Sequence, residues 1–144
     1  MQWVWTPPGF PTTSRRESDE AVDRVFLDAN VLLSAALRPK AGLLRLWTLP
    51  NAALITSDHA IEEARRNLDA PAQRARLTRL LRKVEVVGFL HFSLPRGVNL
   101  PAKDRPILLA AIDAGATHLL TGDWEHFGPY YRQEIGGVHQ TWAR

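Results

Sequence analysis

An apolar strand that runs straight into a carboxylate constrains this chain more than any other feature. Val25-Phe26-Leu27 is followed at once by Asp28. Three consecutive large apolar side chains cannot all be hidden by a strand with one wet face, so they predict a strand covered on both sides, as in parallel sheets. Open α/β sheets gather ligands in the crevice beyond the carboxyl ends of their strands, which puts Asp28 where chemistry is expected. The plainer reading is that Asp28 or Asn30 caps the helix beginning near Val31. The pattern recurs late in the chain, where His118-Leu119-Leu120-Thr121 leads into Gly122-Asp123.

Between these two stretches, strands and helices alternate. Val31 to Leu37 predicts a short helix stopped near Pro39, and Leu43, Leu44, Leu46 and Trp47 a second one stopped near Pro50. Ala52 to Thr56 reads as a strand, followed by a helix capped by Ser57 or Asp58 that carries Ala60, Ile61, Ala64 and Leu68 on one face. From Pro71 to Lys83, Leu77, Leu80, Leu81 and Val84 recur at helical spacing, opposite Arg74, Arg76, Arg79 and Arg82. That arginine face is the densest basic patch and is equally what a solvated helix surface looks like. Val84 to Phe89 predicts a third strand, then a loop through Arg96, Gly97 and Pro101. The helix from Lys103 has Pro106 in its first turn, where a missing donor does no harm, and Gly115 closes it. Trp124 to Tyr131 predicts a short helix or turn, and Gly136 to Gln140 a short closing strand. The alternation implies a three-layer α/β/α sandwich around a parallel sheet, one domain over residues 24–144. Ahead of it, residues 1–23 mix Trp3, Trp5 and Phe10 with prolines and a polar stretch and predict a loose arm.

Cysteine is absent, so disulfides and thiolate metal sites are excluded and any metal must be held by oxygen or histidine. No apolar run approaches the roughly 20 residues that cross a bilayer, and the expected location is cytoplasmic. A formal charge of +3, carried almost wholly by arginine, favours a polyanionic partner.

Four acids fall in comparable places. Asp28 and Asp123 end strands, Asp104 begins the helix before the second of these strands, and Glu63 lies early in the helix after Thr56. In a parallel sheet all four belong to one edge. Two such charges about 4 Å apart repel by about 4 kcal/mol at an effective dielectric of 20, so convergence calls for separation, protonation or a cation. An all-oxygen cluster suits Mg²⁺ or Mn²⁺, which can activate water and neutralise charge on phosphate oxygens. Taken singly, each acid has an innocent account: Asp104 and Asp123 are good helix caps, and Glu63 could be a solvated charge beside Glu62. The histidines show no ligand spacing; His126 lies close enough to Asp123 to approach a substrate, but a surface or capping role fits it better.

In their combined order and spacing, Phe26-Leu27-Asp28-Ala29-Asn30-Val31-Leu32, Glu63 with Arg65, Arg66 and Leu68, Lys103 to Ala111, and Gly115 to Asp123 with His126-Phe127 resemble the PIN-domain family, close to the VapC-like toxins. The resemblance runs from about Val25 to Val138. It implies that Asp28, Glu63, Asp104 and Asp123 are the metal-binding catalytic acids, with Asn30, Thr121 and Arg65 beside the substrate. It further implies an RNA substrate, a divalent metal, a small antitoxin partner and frequent homodimers, with no membrane association. The arm over Met1 to Asp23 departs from the family pattern, as does His139-Gln140-Thr141-Trp142, which lacks the look of the customary final strand. Two other readings compete: a catalytically inactive PIN-like module that binds RNA or antitoxin, and a phosphatase-like nucleophile loop at Asp28, which would need a second aspartate where Asn30 stands.

Overall fold

The computed structural model describes residues 22–88, 97–135 and 137–142, with the side chains of residues 124 and 142 excepted. The expected arm over residues 1–21, the end of the third predicted strand at Phe89, and His91 and Arg96 lie outside the described residues. The first strand, β1 (Asp23–Leu27), starts at the last residue assigned to the arm and buries Val25, Phe26 and Leu27 almost completely. Burial of three successive residues means both of its faces are covered, as the apolar run predicts.

Around β1 the sheet has the order β3-β2-β1-β4-β6-β5, with β2 at Ala52–Ser57, β3 at Val84–Val87, β4 at His118–Thr121, β5 at Glu134–Ile135 and β6 at Val138–Trp142. β1 pairs in parallel with β2 on one side and with β4 on the other. The chain therefore builds outward from β1 to β3, then returns to lay β4 against the free side of β1. The gap between the ends of β1 and β4 is the switch point, where a doubly wound sheet opens a crevice. All pairings are parallel except that of β5 with β6, so the expected parallel sheet carries one antiparallel edge strand.

The helices are α1 (Ala29–Leu37), α2 (Asp58–Arg66), α3 (Pro71–Leu81), α4 (Arg105–Asp113) and the single turn α5 (Trp124–Phe127). α1 packs on α2 and α3, while α4 packs on β2 and β4. Gly115 ends α4 as expected, with φ +68°, a conformation that costs glycine least. α1 starts two residues earlier than predicted because Asp28 itself is the N-cap. The second predicted apolar helix is instead a 3₁₀ segment, Gly42–Thr48. In that geometry residues three apart eclipse one another, so Leu43 with Leu46 and Leu44 with Trp47 share a face as they would in an α-helix.

The C-terminus differs most from expectation. His139-Gln140-Thr141-Trp142 is a strand after all, pairing with β4 from His118 to Thr121. Its polar composition hides a period of two: Val138 and Gln140 are buried while His139 and Thr141 are half-buried. Gln140 is partly satisfied inside: its Nε2 donates to the Val138 carbonyl at 3.0 Å, while its buried Oε1 has no hydrogen-bond partner among the described residues, and His139 lies with its ring 5.0 Å from that of His118.

Two of the four arginines on the basic face read from Pro71 to Lys83, Arg74 and Arg76, are committed to backbone. Arg76 donates through Nε to the Ala36 carbonyl at 2.9 Å and through a terminal nitrogen to that of Leu37 at 3.1 Å, and Arg74 Nε donates to the Leu68 carbonyl at 2.7 Å. The last carbonyls of a helix have no partner within it, so Arg76 closes the C-terminal end of α1. Among the described residues, no helix is long and apolar enough to cross a membrane.

Candidate active site

At the end of β1, Asp28 is only 5% exposed, yet both its carboxylate oxygens are held. Oδ1 accepts from the Ala29 N–H at 2.6 Å, and Oδ2 accepts from the Thr121 hydroxyl at 2.7 Å. Burial pushes its pKa up to about 6, against the pull of those two hydrogen bonds, and the negative charges of Glu63 and Asp104 push in the same direction. The Thr121 hydroxyl also accepts from the Asp123 N–H at 3.0 Å, so one side chain joins the ends of β1 and β4. Asn30 adds a second tie by accepting from the Gly122 N–H through Oδ1 at 2.8 Å. Both polar residues expected beside the substrate thus serve first to lock the two loops together.

Asp104 and Asp123 meet across the crevice. Asp104 precedes α4 in the capping position, but its side chain makes no capping bond, so the innocent account of this residue fails. Asp123 does cap, accepting from the His126 N–H through Oδ1 at 3.2 Å. Its Oδ2 stands 2.8 Å from His126 Nδ1, and Asp104 Oδ2 stands 2.9 Å from the same nitrogen. A single ring N–H can point along only one of these lines. It serves Asp123, leaving the buried Asp104 Oδ2 with a close ion-pair neighbour and no hydrogen bond among the described residues. Burial raises the pKa of Asp104, as do Asp123 and, more weakly, Glu63, while His126 and Lys103 oppose them. The hydrogen bond to Asp123 raises the pKa of His126, with the charges of Asp123, Asp104 and Glu125 adding to it and desolvation opposing.

Glu63 lies half-buried on α2 with His59 Nε2 3.8 Å from its Oε1. Its charge reaches both Asp28 and Asp104, whereas Glu62 is exposed, which fits the choice of Glu63 over its neighbour. Arg65 is not brought to the acids. It sits two residues beyond Glu63, about 200° around the helix, and is exposed.

The expected four-acid convergence is therefore looser than a single cage. Asp104, Asp123 and His126 offer ligand atoms that all lie within 4.8 Å of one another; Asp28 is tethered to them through Thr121, and Glu63 acts at longer range. A buried carboxylate oxygen lacking a hydrogen bond, facing a second carboxylate, is a donor set that fits a hard divalent cation. The structure brings His126, which reads from the sequence as a surface or capping residue, beside both Asp104 and Asp123. The usable signal was its spacing from Asp123, since residues three apart on a helical turn share a face.

Comparison with known proteins bears on the fold. Residues 24–125 match a family model described as the PIN domain. Among solved structures, a chain of VapBC2 from Rickettsia felis, crystallised bound to a DNA fragment from their promoter, superposes with a TM-score of 0.62 at 15% identity, covering 84% of this chain and 99% of that one. A chain of FitAB bound to the IR36 DNA fragment superposes with a TM-score of 0.51 at 18% identity, covering 82% and 94% respectively. No curated protein matches.

Proposed function

The chain belongs to the PIN-domain family, and from that premise we propose that it is a Mg²⁺- or Mn²⁺-dependent endoribonuclease, the toxin of a type II toxin-antitoxin pair. The observation that carries the catalytic reading is the meeting of buried Asp28 and Asp104 with half-buried Asp123 near the β1/β4 switch point, with an Asp104 oxygen that makes no hydrogen bond among the described residues. Folding tolerates such an arrangement poorly unless a cation completes it. The fold shared with chains of the VapBC2 and FitAB complexes supports the toxin reading. A small antitoxin as partner, a homodimer as the working form and the cytoplasm as the location belong to the same proposal.

Asp104 and Asp123 would hold the cation, with Asp28 and Glu63 completing its surroundings. When bound, a divalent ion supplies charge neutralisation on the phosphate and a more acidic water. The residues of this chain supply orientation and proton handling. Thr121 and the Ala29 N–H fix both oxygens of Asp28, and a carboxylate with a pKa of about 6 is suited to take a proton from water near neutral pH. Asn30, by anchoring Gly122, keeps the loop that bears Asp123 in place.

The test is cleavage of a structured RNA in Mg²⁺ or Mn²⁺, with EDTA, and with Asp28→Asn and Asp123→Asn. Loss of cleavage in the chelator and a fall of at least ~100-fold in each variant are expected, in line with removal of groups that act on the reacting centre. Cleavage that persists through chelation and both substitutions refutes the mechanism. The alternative of a non-catalytic binding module loses part of its basic surface, because Arg74 and Arg76, two of the four arginines on that face, are spent on backbone carbonyls.

A further inference from the structure

We propose that His126 is itself a ligand of the divalent ion, through Nδ1, making the site a mixed nitrogen and oxygen centre that prefers Mn²⁺ to Mg²⁺. This rests on the reading above that the acids hold a cation, and adds a donor which that reading does not need. Two independent observations carry it. The first is spacing. An octahedral ion with ligands at about 2.1 Å sets adjacent donors about 3 Å apart. Nδ1 stands 2.9 Å from Asp104 Oδ2 and 2.8 Å from Asp123 Oδ2, so it has the separation of a neighbouring ligand from each, and the ligand atoms of the three residues all lie within 4.8 Å of one another. The second is the state of Asp104. The residue is 8% exposed and its Oδ2 has no hydrogen-bond partner among the described residues, although a ring nitrogen lies within reach. One N–H cannot serve two carboxylates, whereas one cation can bind all three groups. The ring proton bonded to Asp123 marks where positive charge is wanted, and an ion would take its place.

The backbone supports this placement. Asp123 caps the turn that carries His126, so the two side chains rise from the same face of α5, and the tie through Thr121 fixes Asp123 against β1. Imidazole is a softer donor than carboxylate and favours transition ions over Mg²⁺, which takes oxygen.

The experiment uses the full chain with Mn²⁺ as probe, reading nitrogen coupling to the bound ion by electron spin echo modulation, together with Mn²⁺ and Mg²⁺ affinities by calorimetry. The wild-type protein should show directly coordinated nitrogen whose frequencies change on ¹⁵N-histidine labelling. His126→Asn should abolish the coupling and weaken Mn²⁺ binding about 10-fold or more while changing Mg²⁺ binding by less than about 3-fold. His59→Asn, which removes the other histidine near an acid of the site, should keep the coupling, and cooperative unfolding of each variant excludes general misfolding. Tight Mn²⁺ binding without nitrogen coupling overturns the ligand role and leaves the nuclease reading standing. Failure of the wild-type protein to bind either ion overturns both.

Discussion

Asp28→Asn should make the metal-free protein more stable at neutral pH, even though it removes an acid from the proposed active site. The carboxyl of Asp28 has its pKa raised from the ordinary 3.8 to about 6, chiefly by burial. A group whose folded-state pKa is raised contributes stability that is complete below about pH 4 and is lost as pH rises through 6. At about 1.4 kcal/mol per pH unit, holding the buried carboxylate charged above pH 7 costs the fold about 3 kcal/mol. Asparagine keeps an oxygen for the Ala29 N–H but turns an amide toward Thr121, which now donates to Oδ2, so about 1 kcal/mol of that gain is given back. The net expectation is a variant about 2 kcal/mol more stable than wild type at pH 7.5 in EDTA, or ~4–8 °C in Tm for a chain of this size. Urea unfolding at pH 4 and pH 7.5 checks it. The advantage should shrink by about 2 kcal/mol at pH 4, where the wild-type carboxyl is protonated in the folded protein. Saturating Mn²⁺ should reverse the ranking, because an ion that binds the native state stabilises the protein that holds it more tightly. A stability difference that stays constant between the two pH values would refute the claim that Asp28 is held charged at a cost.

Thr121→Val removes the hydroxyl that favours ionised Asp28, so the acidic limb of the pH-rate profile should move to higher pH, with activity falling more at pH 6.5 than at pH 8.5. Thr121→Ser should restore the profile; an unmoved limb would detach Asp28 from proton transfer. Arg76→Ala should cost about 1–2 kcal/mol in urea unfolding by stranding the Ala36 and Leu37 carbonyls, with RNA affinity unchanged. Weaker RNA binding with unaltered stability would make that arginine an RNA contact instead.

What the sequence made legible was whatever depends on local pattern. Val25-Phe26-Leu27 and Leu119-Leu120 had to be doubly covered strands, and the carboxylates after them had to share an edge, because chain direction in a parallel sheet leaves no other place. What stayed hidden depends on partners distant in sequence. Arg76 reads as a solvated charge until the end of α1 is seen to lie beneath it. Gln140 argues against a buried strand until its side chain is seen to bond the Val138 carbonyl. His126 reads as a surface residue until Asp104, more than twenty positions earlier, arrives on its other side. Periodicity reports burial, and it is silent about which polar groups will be satisfied after burial.

The strand order also bears on synthesis. As the polypeptide leaves the ribosome, β3, β2 and β1 can assemble while β4 is still unmade, which leaves β1 with an unpaired backbone edge and greasy side chains on either hand. During that interval the nascent protein is sticky, and the segment bearing Asp123 and His126 has yet to emerge. A message truncated before codon 118 would yield an aggregation-prone fragment that lacks both Asp123 and His126.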